Sequence, residues 1–476
     1  MNAKTMTMNS LITQDKAKSL LGRVSRDNLV LFGLLAGLST MMVLFILMPL
    51  WAMLTKSVQN ANGEFVGLAN FATYFSSSSL WVSVGNTFTL GVIVTSVVGV
   101  LAFGYAYALT RSCMPFKGLF QILGTAPILA PSLLPAISLI FLFGNQGIAK
   151  EMLLGNSVYG VIGISMGLIF WTFPHALMIL TTSLRTSDAR LYEAARALKT
   201  SPIKTFFMVT LPAAKYGLIS TLIVVFTLVI TDFGVPKVIG GSYNVLATDI
   251  FKQVVGQQNF AMGAVTSIML LFPAVMAFGA DRWVQKKQKS LFDTRSVPYQ
   301  PEPNQNARQH LYGLLQHHFY RSAGSTWYGG VWLVSYVLVP WNKALTLNNY
   351  NFAEMSTYGW SPFFNSLTLA GWTAVIGTAI IFVGAYCIEK GRAFGPIRQV
   401  MQMLSVVPMA VPGMVLGLGY IFYFNDANNP LNVLYGTMAF LVINTVVHYY
   451  TVGHMTALTA LKQLPSEIEA TDGQHR

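Results

Sequence analysis

Residues 192–202 form a short charged and apolar stretch between two long apolar runs, and they are well suited to binding another protein. The Glu193 carboxylate can accept charge-assisted hydrogen bonds from an arginine or an amide, and these bonds are the stronger kind. The spacing predicts a helix over residues 188–198, with Asp188 as its N-cap. Its apolar positions follow the i, i+3, i+4, i+7 pattern of a strip that fits a partner's groove, namely Leu191, Ala194, Ala195 and Leu198.

A second short helix is predicted directly after the first. Ser201 followed by Pro202 is typical of an N-cap and a first helical position, and the helix is expected to run to Met208. We expect Leu211-Pro212 to end it before the next apolar run. An alternative to partner binding is an amphipathic helix lying on the inner leaflet, favoured by the basic residues Arg190, Arg196, Lys199 and Lys204.

Few ionisable residues lie inside the apolar runs: His175, Asp232, His448 and His454. Charge within a membrane is a functional hypothesis by default. Asp232 lies near the end of its run and alternatively caps a break there. The histidines are expected to be packing residues with satisfied ring nitrogens.

The composition is that of a polytopic membrane protein, because 53% of the 476 residues are hydrophobic and only 10% are charged. Spanning the bilayer takes about 20 apolar residues per helix. Continuous apolar runs predict helices rather than a β-barrel. Ten windows qualify: 29–54, 84–109, 119–144, 158–182, 214–236, 261–281, 327–347, 365–389, 400–424 and 433–459.

The net charge of +13 reports topology rather than nucleic-acid binding. With residues 1–28 in the cytoplasm, 25 of the 30 Lys and Arg residues fall on the inner side. This bias orients membrane helices, so the loop around Glu193 is predicted to be cytoplasmic. The outer side holds Lys56, Lys150, Lys237, Lys252 and Lys343.

The chain contains an internal repeat. Residues 86–90 (NTFTL) resemble residues 365–369 (NSLTL), and the pair Pro127 and Pro131 recurs as Pro408 and Pro412. The spacing of four predicts that each proline pair lies on one helix face. We therefore expect an all-α fold of two tandem parallel helical bundles: a six-span half at 29–281, a cytoplasmic linker at 282–326 and a four-span half at 327–476.

The second half is expected to be incomplete. Residues 461–470 match the approach to Glu193, so Glu469 and Ala470 begin a partial second loop shortly before Arg476. The repeat predicts a twelve-span protein truncated at its C-terminus, and a ten-span protein is the alternative.

The prolines kink helices and free backbone carbonyls, which line pathways in some transporters. Pathway candidates are Pro127, Pro131, Asp232, Pro408 and Pro412, and packing alone is the equal alternative for the prolines. Two Gly-x3-Gly spacings, 163–167 and 413–417, predict close helix contacts.

The loop around Glu193 resembles the EAA loop of ABC importer permeases. Glu193-Ala194-Ala195 match its first residues, Val209 occupies the isoleucine position, and Leu211-Pro212 are in register. Lys199 stands where the family has glycine, so the turn between the helices is alternatively placed one residue later, at Thr200-Ser201. The resemblance implies that this loop binds an ATPase subunit.

The duplicated organisation resembles the fused permeases of iron(III), thiamine and 2-aminoethylphosphonate importers. It implies a non-enzymatic permease in the bacterial inner membrane, with two ATPase subunits and a periplasmic solute-binding protein as partners. The chain has no G-x4-G-K-[ST] phosphate-binding motif, so we expect it to bind no cofactor and ATP to be used by the partner. Residues 232–241 and 257–260 most resemble 2-aminoethylphosphonate permeases, with iron(III) permeases next. The rival function is an ion-coupled secondary transporter, which needs ionisable groups near the bilayer midplane.

Overall fold

A computed structural model of the chain describes residues 26–462 apart from 148, 292–296, 298, 301–350 and 392. In the described part the regular elements are helices, and an isolated β-bridge joins Gln59 and Phe65. The all-α fold class is therefore confirmed. The α-helices are α1 Arg26–Met42, α2 Met48–Ser57, α3 Ala69–Ser76, α4 Ser78–Arg111, α5 Lys117–Thr125, α6 Leu133–Phe143, α7 Val161–Arg185, α8 Ala189–Ala197, α9 Pro202–Thr205, α10 Leu211–Thr231, α11 Gly234–Ile239, α12 Leu246–Phe251, α13 Phe260–Leu291, α14 Phe352–Met355, α15 Ser361–Glu389, α16 Gly395–Leu404, α17 Val407–Ala410, α18 Gly413–Phe424 and α19 Met438–Lys462.

Six helices in the described residues are long and apolar enough to cross a membrane. They are Asn28–Ser57, Ser78–Arg111, Val161–Arg185, Pro202–Thr231, Phe260–Gln285 and Ser361–Glu389. The predicted span at 327–347 lies outside the described residues. Most of the predicted window 433–459 lies in α19, Met438–Lys462, which contains polar residues such as Asn444 and His448 and is not among the six.

The predicted spans at 119–144 and 400–424 are bent rather than straight. Residues Lys117–Leu129 and Leu133–Phe143 meet at 99°, and Gly395–Ala410 and Gly413–Phe424 meet at 112°. Counting each bent pair as one span gives up to eight spans. The prediction that each proline pair lies on one helix face is wrong. Two prolines four residues apart remove donors and crowd the carbonyls of adjacent turns, and the helix breaks between them.

Three segments widen into π-helical turns, Val43–Leu47, Phe206–Thr210 and Lys252–Gly256. Two of them end two residues before a proline. The N–H of Met48 donates to the Val43 carbonyl ahead of Pro49, and the N–H of Leu211 donates to the Phe206 carbonyl ahead of Pro212. A wide turn of this kind lets a helix continue past a residue that cannot make the ordinary bond.

The described residues group into two compact units. The larger comprises residues 52–362 and 410–419, and the smaller comprises residues 26–51, 363–409 and 420–462. In the larger unit, α4, α7 and α10 pack around a shared apolar core. Glycines allow close approach there: a Cβ on Gly99 would lie 2.7 Å from the Leu222 side chain, and one on Gly167 would lie 2.8 Å from Val235. The close contact predicted for the first Gly-x3-Gly spacing is confirmed.

The smaller unit has its own apolar cluster. Leu35 of α1 packs with Cys387, Met401 and Leu458. The Tyr420 hydroxyl donates to the Phe45 carbonyl at 2.8 Å. These contacts join α1 to helices from the C-terminal part of the chain.

The two predicted halves use the same local device before their bent segments. Phe116 precedes α5 with φ 55°, and Phe394 precedes α16 with φ 56°. Left-handed phenylalanine is uncommon, because its Cβ crowds the backbone. Its recurrence ahead of both bends is an independent sign of the internal repeat.

Candidate functional site

The predicted loop helix around Glu193 is present as α8, Ala189–Ala197. Asp188 caps it as expected, accepting a hydrogen bond from the Arg190 N–H at 3.1 Å. The Arg190 Nε lies 3.3 Å from the same carboxylate oxygen. The backbone hydrogen bond, aided by the Arg190 charge, holds the pKa of Asp188 below its usual value.

The helix ends in a left-handed turn at Lys199, whose φ is 50°. The Lys199 N–H donates to the Arg196 carbonyl at 2.9 Å, and the Thr200 N–H donates to the Ala195 carbonyl at 3.0 Å. This pair of bonds is the Schellman motif, which usually has glycine at the left-handed position. The alternative placement of the turn at Thr200-Ser201 is therefore wrong. Lysine adopts the conformation that the family assigns to glycine.

The second short helix begins as predicted and ends differently. Ser201 caps α9 by accepting from the Lys204 N–H at 3.3 Å. The prediction that Leu211-Pro212 ends this helix is wrong, since Pro202–Thr231 is one continuous helical segment. The π turn at Phe206–Thr210 contains Val209 and lets the helix continue past Pro212.

The loop presents one face inward and one outward. Tyr192 and Ala195 of α8 are buried, whereas Glu193 and Ala194 are exposed. Leu191 is 52% exposed and Leu198 is 78% exposed. The predicted apolar strip is therefore split, with Ala195 packed inside and the other three positions outside. Further exposed apolar side chains follow on the second segment: Ile203, Phe207 and Met208.

Tyr192 and Arg111 connect the loop to the adjacent helices by hydrogen bonds. The Tyr192 hydroxyl donates to Thr210 Oγ1 at 3.1 Å. Arg111, the last residue of α4, donates from Nη2 to the Leu184 carbonyl at 2.7 Å and to the Tyr192 hydroxyl at 3.2 Å. The sequence analysis missed both residues. Their signals were a basic residue at the end of an apolar run and an aromatic residue directly before Glu193.

The far ends of α4 and α10 form a second junction. Asp232 caps the break after α10 as predicted, accepting from the Val235 N–H at 2.9 Å. This break lies beside the break that follows Pro131, because a Cβ on Gly234 would lie 2.9 Å from Ser132 Oγ. The structure thus brings two pathway candidates, Pro131 and Asp232, into the same region. Pro127 and Pro408 are buried in their separate bends, and Pro412 is buried in the break before α18.

Long-range hydrogen bonds close this second junction. The Leu246 N–H donates to Thr87 Oγ1 at 2.9 Å, and Asn86 Nδ2 donates to the Asn244 carbonyl at 2.9 Å. We call residues 185–212 with Arg111 and Tyr299 the loop edge. We call Asn86, Thr87 and residues 232–252 the opposite edge, since α4 and α10 each run from one to the other.

Lys237, Lys252 and His454 have defined surroundings. Lys237 lies over the Phe251 ring with Nζ 4.2 Å from its centroid, and Lys252 donates to Asn244 Oδ1. His454 is fully buried and stacks on Tyr450 at 5.4 Å. Both ring nitrogens of His454 lack a hydrogen-bond partner among the described residues, so the expected satisfied histidine is not found there.

The partial second loop at Glu469 and Ala470 lies outside the described residues. Among the residues that the structure does describe, no group of three or more His, Cys, Asp or Glu side chains is arranged to hold a metal ion.

The helices and the loop define an all-α, multi-pass membrane protein with a capped helical pair between two of its spans. Residues 114–290 match the family described as the binding-protein-dependent transport system inner membrane component. The matched region contains α8, the Lys199 turn and Pro212. The expected resemblance to permeases of this transport family is confirmed.

Several proteins that are similar to this chain are named as permeases of ferric transport systems. The chain is 26% identical over 390 residues to the ferric transport system permease protein FbpB of Actinobacillus pleuropneumoniae, covering 78% of this chain and 56% of that protein. It is 23% identical over 389 residues to the Fe(3+)-transport system permease protein FbpB 2 of Haemophilus influenzae, covering 81% of this chain and 71% of that protein. Two of the ferric relatives are matched over only 62% and 56% of their own length.

A solved structure of a bacterial ABC transporter involved in the import of alginate matches 60% of this chain and 100% of its own. The identity is 15% and the TM-score is 0.40.

Proposed function

We propose that this chain is the permease subunit of an ATP-driven, binding-protein-dependent ABC importer, and that α8 is its coupling helix. The observation that carries the proposal is the exposed apolar row around Glu193 on a capped helix between two spans. Apolar side chains exposed on one face of a short helix are typical of a surface that fits a partner's groove.

The loop has the mechanical properties that coupling requires. Asp188 and Lys199 close both ends of α8 with local hydrogen bonds, so the helix can move as one body. Tyr192 and Ala195 connect it to the spans, while Leu191 and Leu198 remain available to an ATPase subunit. Exposed Glu193 can accept a charge-assisted hydrogen bond from that partner. ATP hydrolysis is assigned to the partner, because this sequence has no G-x4-G-K-[ST] phosphate-binding motif.

The remaining elements of the proposal are topological. The distribution of Lys and Arg favours a cytoplasmic N-terminus and loop edge, where an ATPase is accessible. The two halves, joined by the linker at 282–326, would then surround one pathway, with a second coupling loop starting near Glu469. The pathway candidates Pro131 and Asp232 lie at the edge that would receive solute from a periplasmic binding protein.

Two solute classes are candidates, 2-aminoethylphosphonate and iron(III). The resemblance of residues 232–241 and 257–260 favours the phosphonate, and Lys237 and Lys252 would suit an anion. Both lysines have partners within the protein, at Phe251 and Asn244, which weakens that argument. Relatives named as ferric permeases match about four fifths of the chain and favour iron(III). Measuring which of the two solutes the cognate binding protein retains separates these candidates.

Cross-linking tests the coupling role. In a background with Cys113 and Cys387 replaced, Leu198→Cys should cross-link to the ATPase subunit in the assembled transporter. Leu154→Cys is the matched control, because Leu154 is 90% exposed but lies far along the chain from α8. Transport that continues without any cross-link from position 198 would reject the coupling role. Uptake that follows a proton gradient and persists without ATP would favour the secondary transporter.

A further inference from the structure

The chain that follows α13 returns to the start of α8. The Ala189 N–H donates to the Val297 carbonyl at 2.8 Å, and the Tyr299 N–H donates to the Ser187 carbonyl at 3.2 Å. These two bonds have the alternation of an antiparallel strand pair. They hold Val297 and Tyr299 alongside Ser187 and Ala189, at the start of α8.

The side chain of Tyr299 completes an aromatic and cationic cluster. The Arg111 guanidinium carbon lies 4.4 Å from the Tyr299 ring centroid and 4.9 Å from that of Tyr192. The two tyrosine rings are 4.5 Å apart. Guanidinium groups are attracted to aromatic faces at such distances, and the attraction is stronger where water is excluded.

Arg111 depends on these rings. Its Nε and Nη1 atoms are buried and have no hydrogen-bond partner within the described residues. A buried donor without a partner is unfavourable, and the two ring faces provide compensating electrostatic attraction. Removing Tyr299 would leave the guanidinium with one ring and weaken its hold on Tyr192.

We propose that Val297 and Tyr299 form a clamp on the coupling helix, and that Tyr299 is a positioning residue which acts through Arg111 and Tyr192. The inference rests on the proposed function of α8. It assigns the chain after α13, predicted from sequence as a plain linker, a part in coupling. A helix of nine residues is marginal by itself, so its orientation depends on such tertiary contacts.

Amide hydrogen exchange in the assembled transporter tests the contact. In Tyr299→Ala the Ala189 amide should exchange roughly tenfold faster, because its acceptor strand is no longer held by the ring cluster. Tyr299→Phe keeps the ring and should remain within about twofold of the parent. The Val235 amide, bonded to Asp232 at the opposite edge, is the internal control, and Tyr358→Ala, an exposed tyrosine, is the control variant. Unchanged exchange at Ala189 in Tyr299→Ala would overturn the inference.

Solute-stimulated ATP hydrolysis tests the positioning role. We expect Tyr299→Ala to lower the stimulated rate several-fold with an unchanged KM for ATP, and Tyr299→Phe to restore it. Full stimulation in Tyr299→Ala would also overturn the inference. The exchange result does not depend on an ATPase, so a failure of the proposed function shows instead as missing cross-links from Leu198→Cys in the parent chain.

Discussion

The two edges of the larger unit hold their helices by hydrogen bonds of different range. At the opposite edge, Asn86 and Thr87 bond to residues more than 150 positions away, and the partners are backbone groups of Asn244 and Leu246. At the loop edge, the caps of α8 and α9 are local. Long-range attachment is made by the side chains of Arg111 and Tyr192 and by the backbone bonds that Ser187 and Ala189 form with Tyr299 and Val297. The opposite edge is therefore a fixed junction. The loop edge is a preformed body attached at a few points, which suits a part that moves with a partner.

The largest effect on stability is expected at the opposite edge. Thr87→Val removes the acceptor of the buried Leu246 N–H and should lower the free energy of unfolding by about 2 kcal/mol. Thermal unfolding in nanodiscs measures it. Thr182→Val is the control, since Thr182 is exposed and bonds only within its helix. An equal, small change in the free energy of unfolding of both variants would contradict the interpretation of the opposite edge as a fixed junction.

The loop edge should respond in binding rather than in stability. Leu198→Ser should weaken ATPase association roughly tenfold, because exposed apolar side chains contribute to binding when a partner buries them. Its unfolding free energy should change by less than about 0.5 kcal/mol, as for other surface substitutions. Leu154→Ser should alter neither quantity. Titration of the ATPase against each variant decides this, and equal affinity for the parent and Leu198→Ser would remove the contrast between the edges.

Backbone strain should be similar at Lys199 of the loop edge and at Leu154, which belongs to neither edge. Lys199 and Leu154 have nearly equal left-handed φ values, 50° and 51°. Replacing either by glycine should stabilise its turn by about 1 kcal/mol, because glycine has no Cβ to crowd the backbone. Exchange rates of the Thr200 and Asn156 amides report the two turns. If glycine stabilised the turn at position 154 and destabilised the turn at position 199, the lysine side chain would have a role of its own.

Acidification should change stability in opposite directions through Asp188 at the loop edge and Asp249 at the opposite edge. These are the smallest effects that we expect. The pKa of Asp188 lies below the usual 3.8, mainly through its bond from Arg190, so its contribution to stability is present above 3.8 and lost as pH falls further. Burial raises the pKa of Asp249 above 3.8, so stability from its protonated form is lost as pH rises through that raised value.

At neutral pH, Asp249→Asn should therefore raise the unfolding temperature and Asp188→Asn should lower it. The Asp249→Asn gain should vanish on acidification. Shifts of the same sign at neutral pH would contradict these assignments.

Patterns of apolar spacing and capping residues predicted the helices of the loop edge well. Asp188 and Ser201 cap as expected, because a short side chain before a helix satisfies its first amides locally. The conformation of Lys199 was predicted less well, because steric preference disfavours lysine there and tertiary attachment of α8 overrides that preference. The continuation through Pro212 was missed, since a π turn has no sequence signature besides the proline itself.

Contacts between distant parts of the chain account for most of the other differences. The spacing 163–167 forms a close contact and the spacing 413–417 leaves a Cβ on Gly417 with open space around it, although the two look alike in sequence. Periodicity identifies a helix face but not what lies opposite. For the same reason, nothing in the local sequence marks Tyr299 as the partner of Arg111.

The wide turn at Phe206–Thr210 has a consequence for the register of the segment it joins. A π turn holds about one residue more than an α turn, so deleting one residue there would restore ordinary helical winding and leave the flanking segments nearly in phase. Deleting one residue elsewhere in the segment would instead turn everything N-terminal to it by about 100° around the axis of α10. Leu191 and Leu198 would then face a new direction while every residue type stayed the same. A deletion of one residue at the wide turn would therefore change the angle at which a partner must approach less than the same deletion elsewhere in the segment.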